Sequence, residues 1–217
     1  MSMMPATRLP VLAACLILAL AAACTPGQPT RFYTLATTTE PTLVAHSGQG
    51  LVIGLGPVTV PQYLDRPDIV TREGDNQMRL SDLHKWSEPL EPLLTRIMSE
   101  DLYALLDAND VIPLPQRTDI PLDRVVAIDI GRFDADDSGA VVLDARWRIY
   151  RGDGQTLLAS GRSIVREQGA PIPDYDAIAA AMSRAVGKAT EEIAQAIAGG
   201  GKAAPAPPPS RPSRPRA

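Results

Sequence analysis

The chain has 217 residues, of which 45% are hydrophobic and 21% are charged, a composition that suits one ordinary domain with flexible ends. All 25 Asp and Glu residues and 16 of the 21 Lys and Arg residues lie between residues 24 and 198, so this part has a formal charge of −9. That charge argues against a nucleic-acid-binding domain, which would carry the opposite sign.

The first 23 residues have the pattern of an export signal. Arg8 is the only charged residue ahead of an apolar run from Leu9 to Ala23. The run is shorter than the roughly 20 residues that a membrane-spanning helix needs, and it lacks the polar face of a soluble core helix. The sequence therefore predicts a signal peptide over residues 1–23.

Cys24 directly follows three alanines, small residues that a signal peptidase accepts before its cut. The arrangement resembles the bacterial lipobox, in which the cysteine is diacylated and becomes the new N-terminus. Ala21 replaces the usual leucine, and Cys15 fits the pattern better letter by letter, but too little apolar chain precedes Cys15. We therefore predict lipidation of Cys24, a covalent acyl and diacylglycerol modification, with no other cofactor. Removal of Cys15 leaves no pair for a disulfide.

The predicted lipid group would hold the protein on a membrane without spanning it. Each buried methylene contributes about 0.8 kcal/mol, so several acyl chains anchor stably where one binds marginally. Residues 24–30 would then be a lipidated linker. Thr25 stands where an aspartate would retain a lipoprotein in the inner membrane, so we predict the inner leaflet of the outer membrane, facing the periplasm.

Residues 31–198 predict one α+β domain, an antiparallel sheet with two main helices packed on one face. Leucines at helical spacing from Leu90 predict a first helix that ends by Asn109, and Asp174 suits the N-cap of a second helix that ends at Ala198. Strand patterns occur at 31–35, 51–61, 68–73, 76–81, 111–114, 124–133, 140–152 and 155–167.

Residues 199–217, "GGGKAAPAPPPSRPSRPRA", form a low-complexity segment that offers no apolar side chain larger than alanine to a core. Such a composition predicts a disordered tail. Its four cations are Lys202, Arg211, Arg214 and Arg216. The tail either contacts acidic surfaces of the envelope or is a solvated spacer, and the spacer is the simpler interpretation.

Signals for catalysis or metal binding are poor. His46 lies in a polar stretch and His84 next to Lys85, and an exposed loop position is the simplest interpretation of each histidine. "GLGPVT" at 54–59 lacks the third glycine of a dinucleotide-binding loop and is interpreted as a bent strand. "DADDSG" at 134–139 clusters three carboxylates, but strand residues follow it where a calcium loop would continue, so a solvated hairpin turn is favoured.

Three arginines alternate along one predicted strand, at Arg146, Arg148 and Arg151. They either face an anionic partner or keep the exposed side of the strand soluble. Residue patterns alone leave both interpretations open, with the second favoured.

Two linked motifs resemble those of the auxiliary lipoproteins of ABC-type and MCE-type lipid transport systems, the PqiC and YmbA group. The first is a strand followed by Val-Pro-x-Tyr-Leu-Asp-Arg-Pro-x-Ile-Val, and the second is Trp-x-Glu-Pro-Leu at the entry to a helix. The residues that carry them are Val60, Pro61, Tyr63, Leu64, Asp65, Arg66, Pro67, Ile69, Val70, Trp86, Glu88, Pro89 and Leu90. The resemblance covers residues 24 to about 198.

The resemblance implies a periplasm-facing lipoprotein without catalytic activity, which acts in envelope lipid traffic and membrane integrity. Its implied partners are an MCE-domain protein and inner-membrane transporter components, with the membrane reached through the lipid anchor and no nucleic acid bound. A homo-oligomer is left open. A different class of function is a carrier that holds an acyl chain between sheet and helices, where the alanine-rich residues 177–198 would leave room.

Within the motifs we predict a partner-binding surface. Tyr63 and Trp86 offer the large amphipathic area typical of interfaces, and Pro67 favours an extended backbone at Arg66. The alternative is that these side chains hold the fold, with Tyr63 closing a core edge and Trp86 stapling the helix start. The predicted surface consists of Tyr63, Leu64, Asp65, Arg66 and Trp86.

Overall fold

The structure is a computed structural model that describes residues 28–38, 50–115 and 119–199. Its described strands and helices all belong to one compact unit that begins at Arg31. Its described strands are β1 (Arg31–Tyr33), β2 (Val52–Thr59), β3 (Asp68–Glu73), β4 (Gln77–Trp86), β5 (Asp110–Pro113), β6 (Arg124–Asp136), β7 (Ala140–Arg151) and β8 (Leu157–Gln168). Its described helices are α1 (Leu90–Leu106) and α2 (Tyr175–Ala198).

The eight strands form one mixed sheet organised around the long strand β6. Antiparallel pairing joins β6 to β7 and β7 to β8 along nearly their whole length. On its other edge β6 pairs in parallel with β2 near its start and with β3 near its end. The sheet therefore divides at β6 into one branch that ends in β5 and another that continues through β4 to β1.

The predicted α+β class with two helices on the sheet is confirmed, but the sheet is not antiparallel throughout. The β3–β4 hairpin and the β6–β7–β8 meander are antiparallel. Parallel pairs arise because helix α1 lies in the connection from the first strands to β6, and a long crossover allows a strand to return in the same direction. A residue pattern records which side chains are buried, and it does not record which strand becomes the neighbour.

Both helices bury the apolar stripes that the sequence predicts. Helix α2 contacts α1 and strands β6, β7 and β8. Its N-terminus is capped by Asp174, whose carboxylate accepts a hydrogen bond from the backbone N–H of Ala177 at 3.0 Å. The buried stripe residues are Leu90, Leu94, Ile97, Met98, Leu102 and Leu105 on α1, and Tyr175, Ile178, Ala179, Met182, Val186, Ile193 and Ile197 on α2.

Strand β7 shows why the sheet has two different faces. Its odd-numbered residues from Val141 to Ile149 are buried on the helix side, whereas Arg146 and Arg148 are exposed. Under the indole of Trp147 lies Gly161, where an added Cβ would come within 2.2 Å of the ring. The exposed face, which points away from the helices, is called the outer face below.

Several predictions fall outside the described residues. These are the signal peptide at 1–23, the lipidation of Cys24, most of the linker at 24–30, His46, and the tail beyond Gly199. The domain boundaries stay predictions. Neither described helix is long and apolar enough to cross a membrane.

Candidate partner-binding surface

The first motif forms a tight loop between β2 and β3, called the motif loop (residues 60–67). Its backbone turns back on itself, because Leu64 N–H donates to the carbonyl of Pro61 at 2.9 Å. The loop is fastened at both ends to residues 86–91, which contain the second motif. Val60 N–H donates to the carboxylate of Glu91 at 3.1 Å, and Trp86 N–H donates to the carbonyl of Pro67 at 2.7 Å. The two motifs are therefore one structural unit.

Tyr63 points from the motif loop onto the outer face of the sheet. Its hydroxyl donates a hydrogen bond to Oδ2 of Asp134 at 3.0 Å. Burial, followed by the negative charge of Asp134, raises the pKa of Tyr63 to about 12. The phenol thus stays protonated and holds the motif loop against β6.

Asp134 is fully buried and is held by two arginines as well as by Tyr63. Arg72 donates through Nε and Nη2 at 3.2 and 3.1 Å, and Arg132 donates through Nε at 2.9 Å. The hydrogen bond with Asp134 raises the pKa of Arg72. These four residues, Tyr63, Arg72, Arg132 and Asp134, are called the Asp134 cluster.

The Asp134 cluster was not predicted, and it corrects the interpretation of residues 134–139 as a solvated turn. Only the later part of this segment is a turn, in which Asp136 accepts hydrogen bonds from the backbone of Ser138 and Ala140 at 2.9 and 3.0 Å. Asp134 still belongs to β6. Its position on the outer face predicts exposure, and it is buried only because the motif loop covers that part of the sheet.

Leu64 and Trp86 are buried in the main core, with 3% and 4% of their surfaces exposed. Trp86 is the last residue of β4 and pairs with Tyr33 of β1. This burial supports the fold-holding role for both side chains, because a buried side chain offers little area to a partner.

A groove of 330 Å³ opens where the two motifs meet. Asp65 is exposed on its wall and Arg66 is half-buried. The Nε atom of Arg66 is buried and has no hydrogen-bond partner in the described part of the chain. Since a buried donor without an acceptor is costly, this N–H is suited to a carboxylate or carbonyl oxygen from outside. The residues that line the groove are Asp65, Arg66, Pro67, Trp86, Ser87, Glu88 and Pro89.

His84 lies on β4 and not in an exposed loop, which corrects its predicted position. Its Nδ1 is 2.7 Å from the hydroxyl of Tyr33, and its ring stacks on Tyr175 with the centroids 4.0 Å apart. Burial lowers the pKa of His84, and the positive charge of Arg31 lowers it further. The imidazole is neutral near pH 7 and joins β1 and β4 to the start of α2.

The described residues contain no group of three or more His, Cys, Asp or Glu arranged to hold a metal ion. What the geometry brings together is a pair of motifs, a buried carboxylate that fixes one of them, and a groove with an unsatisfied donor. Three of the five residues of the predicted surface, Asp65, Arg66 and Trp86, line that groove, whereas Leu64 packs in the core and Tyr63 binds Asp134.

The family of this architecture is established by a family model described as the ABC-type transport auxiliary lipoprotein component, which matches residues 33–194. The chain belongs to this family, and the resemblance inferred from the two motifs is confirmed. Membership in a lipoprotein family associates the chain with the cell envelope.

Two solved structures are similar in fold. A crystal structure of an uncharacterized protein has 18% sequence identity and a TM-score of 0.64, covering 78% of this chain and 99% of that chain. The crystal structure of protein XCC0632 from Xanthomonas campestris has 19% identity and a TM-score of 0.67, covering 79% of this chain and 97% of that chain. At these identities the likeness concerns the fold alone. The comparison with curated proteins finds no match.

Proposed function

We propose that this protein is a non-catalytic subunit of an envelope lipid transport system, anchored by lipid at Cys24 to the periplasmic side of the outer membrane. It would connect an MCE-domain protein and inner-membrane transporter components, and so support membrane integrity. The observation that carries the proposal is the family match over residues 33–194, which includes the motif loop, the groove and most of both helices.

The geometry supports docking over catalysis. His84, the histidine within the described residues, is engaged by Tyr33 and Tyr175 and its pKa is lowered by burial. Asp134 is enclosed by two arginines and a tyrosine. The side chains of His84 and Asp134 are both engaged in contacts that hold the fold, whereas Asp65 and Arg66 line an open groove.

Docking at the groove would use Arg66 as the principal contact. A partner oxygen placed there would accept from the unsatisfied Nε, and charge-assisted hydrogen bonds of this kind are about twice as strong as neutral ones. Asp65 on the same wall would select against a partner that presents its acidic group in the wrong place.

Copurification tests this proposal. The lipidated protein is extracted in mild detergent, and the MCE-domain protein and the transporter components are expected to copurify. Arg66→Ala and Asp65→Ala are expected to reduce recovery of the partners at least tenfold. Asp82→Ala and Arg151→Ala are matched controls, because both residues are exposed and lie outside the groove. A wild-type preparation free of any transporter component would show that the proposal is wrong.

An open groove favours the second candidate, a lipid carrier. The groove has a volume of 640 Å³ and lies between α1 and strands β2 and β5. It is not the space predicted along α2, which is filled, because Ala181, Ala185 and Ala189 are fully buried in packed surroundings. The walls of the groove include Pro57, Val58, Pro92, Thr95 and Leu114, and they are mainly apolar.

Native mass spectrometry decides between the candidates. A carrier would retain one lipid per chain, and Thr95→Trp, which fills the groove, would abolish that mass while Tyr103→Trp, at an exposed site of the same helix, would not. A lipid-free wild-type protein would exclude the carrier and leave the docking proposal intact.

A further inference from the structure

Four arginines lie on the outer face of strands β7 and β8, and they are called the arginine face: Arg146, Arg148, Arg162 and Arg166. All four are exposed. Arg146 is directly opposite Arg162 in the register of the two strands, and Arg166 is opposite Val142. Because alternate residues of a strand share one side, the four guanidinium groups project from the same surface.

Only one of the four arginines is neutralised by an ion pair. Arg162 donates to both carboxylate oxygens of Asp144, at 2.7 and 2.5 Å. The hydrogen bond from Arg162 lowers the pKa of Asp144, and the charge of Arg146 adds to this effect. Across the described residues, no hydrogen bond or salt bridge joins the side chains of Arg146, Arg148 and Arg166 to another group.

Two other carboxylates lie on the outer face. Asp134 is enclosed by the Asp134 cluster. Asp129, which is opposite Arg146 in the register, accepts a hydrogen bond from Thr59 at 3.3 Å but keeps its negative charge. With four arginines against the two carboxylates Asp129 and Asp144, the arginine face is a locally positive surface on a domain whose formal charge is −9.

The positive charge of this surface is only partly offset. Asp144 accepts two hydrogen bonds from Arg162 and is also attracted by Arg146, so the facing pair Arg146 and Arg162 shares one counter-charge. Arg148 and Arg166 have no ion pair among the described residues, and an anion from outside would offset their charge. Guanidinium groups are particularly suited to phosphate, which they bind through two parallel hydrogen bonds.

The shape of the surface indicates a membrane and not a protein partner. Protein interfaces concentrate their binding energy in central apolar or aromatic anchors. Among the described residues of this surface, the exposed apolar side chains are Ile164, between the arginines, and Leu157, which pairs with Tyr150 at one end. A charged area with a tyrosine at its edge matches the composition of surfaces that lie on lipid headgroups.

We propose that the arginine face binds the phosphate groups of an anionic phospholipid bilayer. The predicted anchor would keep the domain near the bilayer, because the seven-residue step from Cys24 to Arg31 spans at most about 25 Å. Acyl chains and a basic patch together give stable and oriented membrane binding. Headgroup binding does not depend on lipidation of Cys24 or on the transport role. An experiment can therefore disprove any one of these three proposals and leave the other two standing.

Vesicle cosedimentation tests the proposal on the chain from Thr25 to Ala217, which keeps every described residue and omits the acylated cysteine. Vesicles of phosphatidylcholine with phosphatidylglycerol are compared with phosphatidylcholine alone. Each arginine near an anionic surface contributes about a fivefold gain in binding. Replacing three is therefore expected to weaken binding to the anionic vesicles about a hundredfold, and added salt should weaken the wild type in the same direction.

The test variant removes the three unpaired cations, and the control variant removes three cations from other surfaces. The tail is neutralised in both, so that it cannot bind vesicles by itself. The test substitutions are Arg146→Gln, Arg148→Gln and Arg166→Gln. The control substitutions are Arg79→Gln, Arg96→Gln and Arg184→Gln. The tail substitutions are Lys202→Gln, Arg211→Gln, Arg214→Gln and Arg216→Gln.

Loss of anionic-vesicle binding in the test variant alone supports the proposal. Equal loss in the control variant, equal binding to both kinds of vesicle, or loss caused by the tail substitutions alone would each overturn it. So would a test variant that binds vesicles normally but no longer copurifies with transporter components, since the occupant would then be a protein. If the triple variant does not fold, Arg148→Gln and Arg166→Gln are measured singly, with about a fivefold loss expected for each.

Discussion

The Asp134 cluster and the arginine face occupy the same side of the same sheet, but the central charge is buried and paired in the first, whereas most charges are exposed and unpaired in the second. Asp134 is opposite Val142 in the register, and Val142 is opposite Arg166. Asp134 is fully buried with three partners, whereas Arg166, two strands away, is exposed and unpaired. By the alternation of side chains along their strands, Asp134 and Arg166 both belong to the outer face.

The two regions differ because the motif loop covers the sheet at Asp134 and does not cover the arginine face. The motif loop lies over β6 and places Tyr63 on Asp134, so arginines in that region complete a buried network. Strands β7 and β8 have no such cover over Arg146 and Arg148 within the described residues. The same residue type therefore holds the fold in one place and remains available for binding in the other.

Removing the buried carboxylate is expected to have the largest effect. Asp134→Ala leaves Arg72 and Arg132 next to each other without a counter-charge, and breaking a buried ion pair in this way typically costs 3–5 kcal/mol. Because both arginines are partly exposed to water, we expect a loss of about 3 kcal/mol in the free energy of unfolding. Urea denaturation at pH 7 measures it.

Asp134→Asn is the control for this experiment, because it keeps the volume and removes the charge. It is expected to be destabilising by a smaller amount than Asp134→Ala, since the amide oxygen can still accept one hydrogen bond. A loss of less than about 0.5 kcal/mol in Asp134→Ala, the range of ordinary surface substitutions, would mean that the cluster does not hold the fold.

Tyr63→Phe is expected to be intermediate in effect. It removes the hydroxyl that joins the motif loop to Asp134 but keeps the ring, and loss of one hydrogen bond in a partly buried site costs about 1 kcal/mol. Hydrogen exchange of the motif loop is expected to accelerate more than that of β7. Uniform acceleration over the whole domain would contradict a role in fastening the loop.

Much of the fold is predictable from residue patterns. Alternation along β7 predicts that Trp147 is buried and Arg146 exposed, and helical spacing predicts the apolar stripes of α1 and α2. Asp174 at the start of α2 is predicted and confirmed as a cap. These features depend on neighbours within a few positions along the chain, which is the range over which a pattern is informative.

The sites depend on distant residues, and there the sequence is less informative. Burial of Asp134 requires Tyr63 and Arg72, which are 71 and 62 positions away. The groove requires the motif loop to meet the start of α1, and the linked motifs indicate its residues without indicating that Leu64 and Trp86 are buried. Parallel pairing of β2 and β3 with β6 leaves no mark on any single strand.

The ion pair of Asp144 and Arg162 is the one ion pair of the arginine face among the described residues, and its contribution to the free energy of unfolding depends on pH. Because the hydrogen bond from Arg162 lowers the pKa of Asp144 from its usual 3.8, the pair stabilises the folded state above that value. The contribution is lost as the pH falls through the lowered pKa. Asp144→Asn is therefore expected to be less stable than the wild type at pH 7, with the difference closing in acid as the carboxyl group of Asp144 becomes protonated.

Denaturation curves of both proteins between pH 2 and pH 7 measure that difference. Asp82→Asn is the control, because Asp82 is exposed and makes no ion pair in the described structure. A gap between wild type and Asp144→Asn that is constant over the whole range would show that the effect is steric and not electrostatic.

Removing the unpaired arginines is expected to change stability least of all. The variant with Arg146→Gln, Arg148→Gln and Arg166→Gln loses no ion pair, so its free energy of unfolding should stay within about 0.5 kcal/mol of the wild type. Arg72→Gln, a single substitution within the Asp134 cluster, should cost more than all three together. If thermal unfolding gives the reverse order, the three arginines hold the fold, and the arginine face is not a surface kept free for binding.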